Sequence, residues 1–110
     1  MIDLDFLKEQ CGDSEELMQQ MLQLFIQTAP DHILKIKQEL HANEADYLAK
    51  AVHAFLSSLK ILNAERAVKL GSHIEKLLLE GTSPDILMDD VKELIQLSEL
   101  LVEEAKTTTI

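Results

Sequence analysis

The sequence predicts an all-α fold, an antiparallel up-and-down four-helix bundle with one or two additional short helices. Three observations predict it. The 110 residues are 46% hydrophobic, yet they include only two prolines, three glycines and no tryptophan, a balance that suits long helices better than a turn-rich β fold. Apolar residues recur at three- and four-residue spacing between short polar residues of the kind that cap helices. The connections between these periodic stretches are short, which makes successive helices antiparallel neighbours. The whole chain, 1–110, reads as one domain, with a bundle core over about residues 14–106 and a short N-terminal helix over about residues 3–11.

Each element follows from its punctuation. Asp3 supplies a side-chain acceptor for the first short helix, which Cys11 and Gly12 end. Asp13, with Glu16 three residues on, opens a second helix whose main face carries Leu17, Met21, Leu24 and Thr28, widened by Met18, Leu22 and Phe25. Pro30 favours a first helical turn and constrains Ala29 before it, so the spacing predicts a break there and a third helix over residues 30–42 with Ile33, Ile36 and Leu40 inward. Asn43 serves as stop for that helix and cap for the next, over residues 44–62, which Asn63 and Ala64 terminate. A fifth helix over residues 65–80 buries Ala67, Leu70, Ile74, Leu77 and Leu78 and stops at Gly81. Ser83 as cap and Pro84 at the first helical position open the last helix, to about residue 106, with Leu87, Val91, Leu94, Ser98 and Leu101 as its seam. The final Thr107-Thr108-Thr109-Ile110 has poor helix propensity and is expected to fray.

Charge and composition exclude several functions. Lys+Arg 10 against Asp+Glu 20 gives a formal net charge of -10, which repels a phosphate backbone and an anionic membrane surface, so neither nucleic acid nor membrane is an expected partner. The same repulsion between copies favours a monomer. Cys11 is the only cysteine, so no disulfide within the chain and no cysteine-rich metal site is possible, and the thiol reads as structural. No metal site is expected, because the one close pair, His41 and Glu44, straddles a helix break. The start Met1-Ile2-Asp3-Leu4-Asp5 lacks a signal-peptide pattern and no stretch approaches a membrane span, which predicts a cytoplasmic protein. There is no glycine-rich phosphate loop and no kinase lysine-aspartate set, so the chain reads as having no nucleotide site of its own.

The fourth predicted helix carries the chemistry. At 100° per residue, Leu48, Val52, Phe55, Leu59 and Leu62 form one narrow core seam. His53 then lies about 140° from the seam's centre and points to solvent or to a partner, and its neighbours one turn away, Ala49, Lys50, Leu56 and Ser57, leave it open along the axis. His32, His41 and His73 have no comparable setting.

The segment Ala51-Val52-His53-Ala54-Phe55-Leu56-Ser57-Ser58-Leu59-Lys60-Ile61-Leu62-Asn63-Ala64 resembles the histidine-containing phosphotransfer (HPt) domain family. That family's signature reads roughly A-x-H-x-L-K-G-S-x-x-x-L-G-A. Ala51, His53, Ser58, Leu62 and Ala64 match it; Phe55 keeps an apolar residue where the family has Leu, and Asn63 replaces Gly with another residue that tolerates a left-handed backbone. The likeness extends to Phe25, Pro30 and Leu34 before the motif, to Asp46 and Leu48, and to Leu70, Ile74 and Glu75 after it, covering about residues 14–102. Two departures sit beside the histidine: Leu56 stands where the family usually has Lys, and Ser57 where it usually has Gly.

The resemblance implies a phosphoryl carrier rather than an enzyme. His53 would accept a phosphoryl group from the aspartyl phosphate of a receiver domain and pass it to another receiver, with the receiver of a hybrid sensor kinase and a response regulator as partners. An imidazole ring nitrogen with a free lone pair needs no activating base to attack. The carboxylates and Mg²⁺ that stabilise the transfer would come from the receiver, with no cofactor bound by this chain. Lys50 and Lys60 are the candidates to replace the missing cation, while Leu56 and Ser57 belong to the receiver-docking face or the phosphoryl environment. Leu56, about 80° from the seam's centre, equally reads as a flank residue packed on a neighbouring helix. The alternative the leucine raises is a degenerate module that binds and scaffolds or inhibits a receiver or kinase without being phosphorylated.

Overall fold

Four long helices and one short one make up the computed structural model, which describes residues 1–109. They are α1 (Leu4–Gln10), α2 (Glu15–Ala42), α3 (Ala45–Ile61), α4 (Glu65–Leu79) and α5 (Met88–Thr107). α2 and α4 each pack against α3 and α5, closing a square, and α1 lies against α2. Helices joined by such short connections must reverse direction to pack side by side, which gives the up-and-down order. At about 1.5 Å per residue, the 28 residues of α2 span the molecule's longest extent, 42 Å.

The break predicted at Pro30 does not occur, and residues 15–42 form one helix. Pro30 removes a backbone donor and crowds the preceding turn, a cost of about 3 kcal/mol in isolation. Two features offset it. Pro30 sits on the exposed side, outside the packed seam, and Ala29, Ile33 and Ile36 are buried on the side that meets α3 and α5. Continuity through the proline also moves the apolar face. The buried seam is Met18, Leu22, Phe25, Ala29, Ile33 and Ile36, whereas Leu17, Met21 and Thr28 are half-buried flanks and Leu24 is exposed. Only that stripe stays on one side over the full length.

Three caps also differ from expectation. Ser14, not Asp13, caps α2, its Oγ accepting from Leu17 N at 3.1 Å, while Asp13 takes a left-handed φ of 65°. Asn43 stops α2 at φ 58°, but the residue before α3 is Glu44, with no side-chain cap bond. Ser83 accepts from Asp85 N at 3.4 Å as a start signal would, yet residues 84–87 form tight turns, and the α-helix begins only at Met88. Pro84 and Leu87 are buried there, and pulling both inward favours the tighter winding. α5 continues through Thr107, whose hydroxyl donates to backbone carbonyls of the preceding turn, as does that of Thr108. The predicted fraying does not reach Thr107, and Ile110 lies outside the described residues.

The seams predicted for α3 and α5 are buried throughout, including Ser98, whose hydroxyl donates to Leu94 O at 2.6 Å. α4 ends at Leu79, and buries Ala67, Gly71, Ile74 and Leu78, with Leu70 and Leu77 half-buried. Cys11 is buried as a free thiol. Among the described residues no helix is long and apolar enough to cross a membrane.

The α3–α4 turn is tied to the chain's start. Asp3 N donates to Leu62 O at 3.0 Å, and the Asp3 carboxylate accepts from Phe6 N at 3.0 Å and from Asn63 Nδ2 at 2.9 Å. The Phe6 N–H first, then the Asn63 amide, hold the Asp3 carboxyl below the ordinary aspartate value. A group depressed in the folded state contributes stability that is full above its unfolded pKa and is lost as pH falls through the folded value. An Asp3→Ala variant is therefore expected to unfold at lower urea than the wild type at pH 7, with the gap narrowing below about pH 4. A gap unchanged between pH 7 and pH 2.5 would remove this assignment.

Candidate functional site

The inner face of α3 fixes where its outer face points. Leu48, Val52, Phe55 and Leu59 are buried, and Phe55 is clamped by Phe25, ring centroids 6.2 Å apart, and by His32 at 5.3 Å, both on α2. With that seam held, His53 is turned outward, its side chain 74% exposed. It is not free of partners, however: Nδ1 lies 2.6 Å from Oε2 of Glu75 on α4, a carboxylate only 21% exposed.

Two small features of α3–α4 packing allow this contact. Leu56, one turn beyond His53, is buried, with 4% of its surface exposed. Gly71, one turn before Glu75, faces it so closely that an added Cβ would stand 2.8 Å from Leu56 Cδ2. A leucine on α3 thus fills the space a side chain on α4 would take, and the two helices approach where His53 meets Glu75. The expectation that Leu56 belongs to a docking face or phosphoryl environment is corrected by this burial: it is a core residue, as its angle of about 80° from the seam also allowed.

His53 and Glu75 share an open hollow of about 460 Å³ with Asp46, Ala49, Lys50 and Leu79. Lys50 is exposed, its ammonium 5.5 Å from the centre of the Tyr47 ring. Ser57 is exposed on the same helix one turn beyond the histidine. Lys60 borders a different hollow, formed with Phe6, Gln10, Cys11 and Met21 near α1. The structure thus sets Lys50 in the same hollow as His53, leaves Ser57 on the outer face, buries Leu56 and sets Lys60 apart. The residue that sequence reasoning left without a role is Glu75; it stood within the family pattern, but its partner emerges only once α4 is placed beside α3.

Comparison with known proteins follows this geometry. The family model described as Hpt domain matches residues 20–105. The chain belongs to the Hpt domain family. An Hpt domain is a phosphotransfer module of two-component signalling, a phosphoryl carrier rather than a conventional enzyme. Among solved structures, the fold is similar to the HPT domain from the Hpt sensor hybrid histidine kinase from Shewanella, with a TM-score of 0.86 and 19% sequence identity, over 96% of this chain and 90% of that one. At that identity the likeness is one of fold. No curated protein matches the chain.

Proposed function

We propose that this Hpt domain accepts a phosphoryl group on His53 from the aspartyl phosphate of a receiver domain and passes it to a second receiver. The observation that carries this reading is the outward imidazole with Nδ1 against Glu75. A proton held on Nδ1 by the carboxylate leaves the lone pair on Nε2, the nitrogen across the ring, free to attack. The Nε2 lone pair forms the P–N bond as the P–O bond to the aspartyl carboxylate breaks, and that carboxylate leaves with the bonding pair. The ring keeps its Nδ1 proton and gains a positive charge, which Glu75 offsets; Glu75 thus orients the imidazole and steadies the charge that forms on it.

The receiver contributes Mg²⁺ and the acidic pocket around its aspartate, and this chain contributes a presented nucleophile and a docking face. On the α2 side of α3, Leu24 and Ile61 are exposed around a shallow hollow that also involves Thr28, His32 and Ser58, the apolar surface with a polar rim that transient signalling partners use. The partners are receivers of a hybrid sensor kinase and of a response regulator, met in the cytoplasm by a monomer.

Incubation with a panel of receivers charged with labelled aspartyl phosphate tests the reading. Label on the chain that is lost in acid and kept in alkali supports it. Receiver binding without label would instead favour a scaffolding module, the reading motivated by Leu56 in place of the family's lysine. A Glu75→Ala variant is expected to transfer roughly ten- to a hundredfold more slowly, since a hydrogen bond to a charged group is worth about 1.5–3 kcal/mol. Imidazole ¹⁵N shifts in the same variant report the tautomer, and an unchanged Nδ1–H population would remove the positioning role.

A further inference from the structure

We infer that Lys50 is the cation that holds the phosphoryl group on His53, reaching it from the N-terminal side of α3. The inference rests on the phosphotransfer reading and adds to it the residue that balances the charge. A phosphoryl group brings about -1.5 to -2 at pH 7. The hollow it enters already carries two carboxylates, Asp46 and Glu75, beside the apolar Ala49 and Leu79, and Lys50 is its only cation. Glu75, in contact with the imidazole itself, lies well within one screening length of the anion, about 8 Å at physiological salt, so its repulsion is not erased by solvent ions. A positive group must offset it there for the phosphohistidine to accumulate.

Position and availability both select Lys50. It precedes His53 by three residues, which places the two on neighbouring turns with Cβ atoms about 5–6 Å apart, within reach of a four-carbon side chain. Among the described residues no carboxylate lies within ion-pair distance of its ammonium. Its recorded contact is the Tyr47 ring, 5.5 Å from Nζ to centroid, and an exposed cation–π contact is weak enough to be exchanged for a dianion. Lys60 is seven residues beyond His53, about 10 Å along the axis, and borders another hollow. Position 56 is closed to a cation because Leu56 is packed against Gly71. Lys50 forms no covalent bond; it leaves Tyr47 and pairs with the phosphoryl oxygens as the P–N bond forms.

The test uses the full chain and a receiver that labels the wild type, and compares Lys50→Met, Lys50→Arg and Lys60→Met. Lys50→Met is expected to lower the equilibrium fraction of phosphorylated His53 by about tenfold, a loss that shrinks as salt is raised, with receiver affinity unchanged. Lys50→Arg restores most of the label, and Lys60→Met matches the wild type. Labelling of Lys50→Met at the wild-type level, or an equal loss in Lys60→Met, overturns the assignment while leaving the phosphotransfer reading in place. Absence of label on the wild type across the panel removes both.

Discussion

A His53→Gln variant is expected to fold with wild-type stability and to take up no acid-labile phosphate from any receiver. The two halves of this expectation have separate physical causes. His53 is three-quarters exposed and lies outside the core, so replacing it changes the unfolding free energy by no more than about 0.5 kcal/mol, the usual range for surface substitutions. Glutamine keeps a polar side chain of similar reach that can still approach Glu75, but its amide nitrogen has no lone pair available for attack on phosphorus. The loss is complete rather than graded because no second imidazole is presented in the hollow: its other members are two carboxylates, a lysine, an alanine and a leucine. Urea unfolding, receiver binding and phosphoryl transfer measured on one preparation decide the matter. Residual acid-labile label on the variant would move the acceptor to another histidine, with His32 on the α2 side of α3 the first to examine.

How much of this was readable in the sequence depended on whether a signal was local or shared between helices. The α3 seam was legible because Leu48, Val52, Phe55, Leu59 and Leu62 repeat without interruption, and an amphipathic helix with one apolar stripe has one way to face a core. The outward direction of His53 followed from the same arithmetic. α2 was misread because Pro30 is a strong local signal that loses to tertiary packing: six buried residues on both sides of it lie on one stripe, and their burial outweighs one missing backbone bond. Splitting the helix at the proline also shifted its first half's apparent face toward Leu24, which is exposed. Glu75 could be noticed but not assigned, since its distance to His53 depends on the register between α3 and α4. Leu56 lay near the edge of the buried arc, where the angle alone does not decide. Gly71 decides it, and that glycine is on another helix.

The same pair makes the second large effect predictable. Restoring the family's usual lysine by Leu56→Lys is expected to destabilise the fold by about 2–4 kcal/mol and to gain no phosphoryl transfer. Leu56 is nearly fully buried, so the substitution removes an apolar side chain worth about 2 kcal/mol on burial. It also presses a longer chain toward the Gly71 backbone, where an added methyl group on α4 would already be in contact with the leucine. The ammonium must then lose solvent or drag its stem outward between the helices, and either route prises α4 from α3. Because Glu75 sits one turn beyond Gly71, that separation lengthens the 2.6 Å contact to His53, so the added charge arrives at the cost of the group that orients the imidazole. Urea denaturation measures the first effect and labelling by a charged receiver the second. A Leu56→Lys protein as stable as the wild type and labelled more strongly would place position 56 on the docking face and overturn the view that this domain exchanged its lysine at that position for a packed leucine–glycine contact.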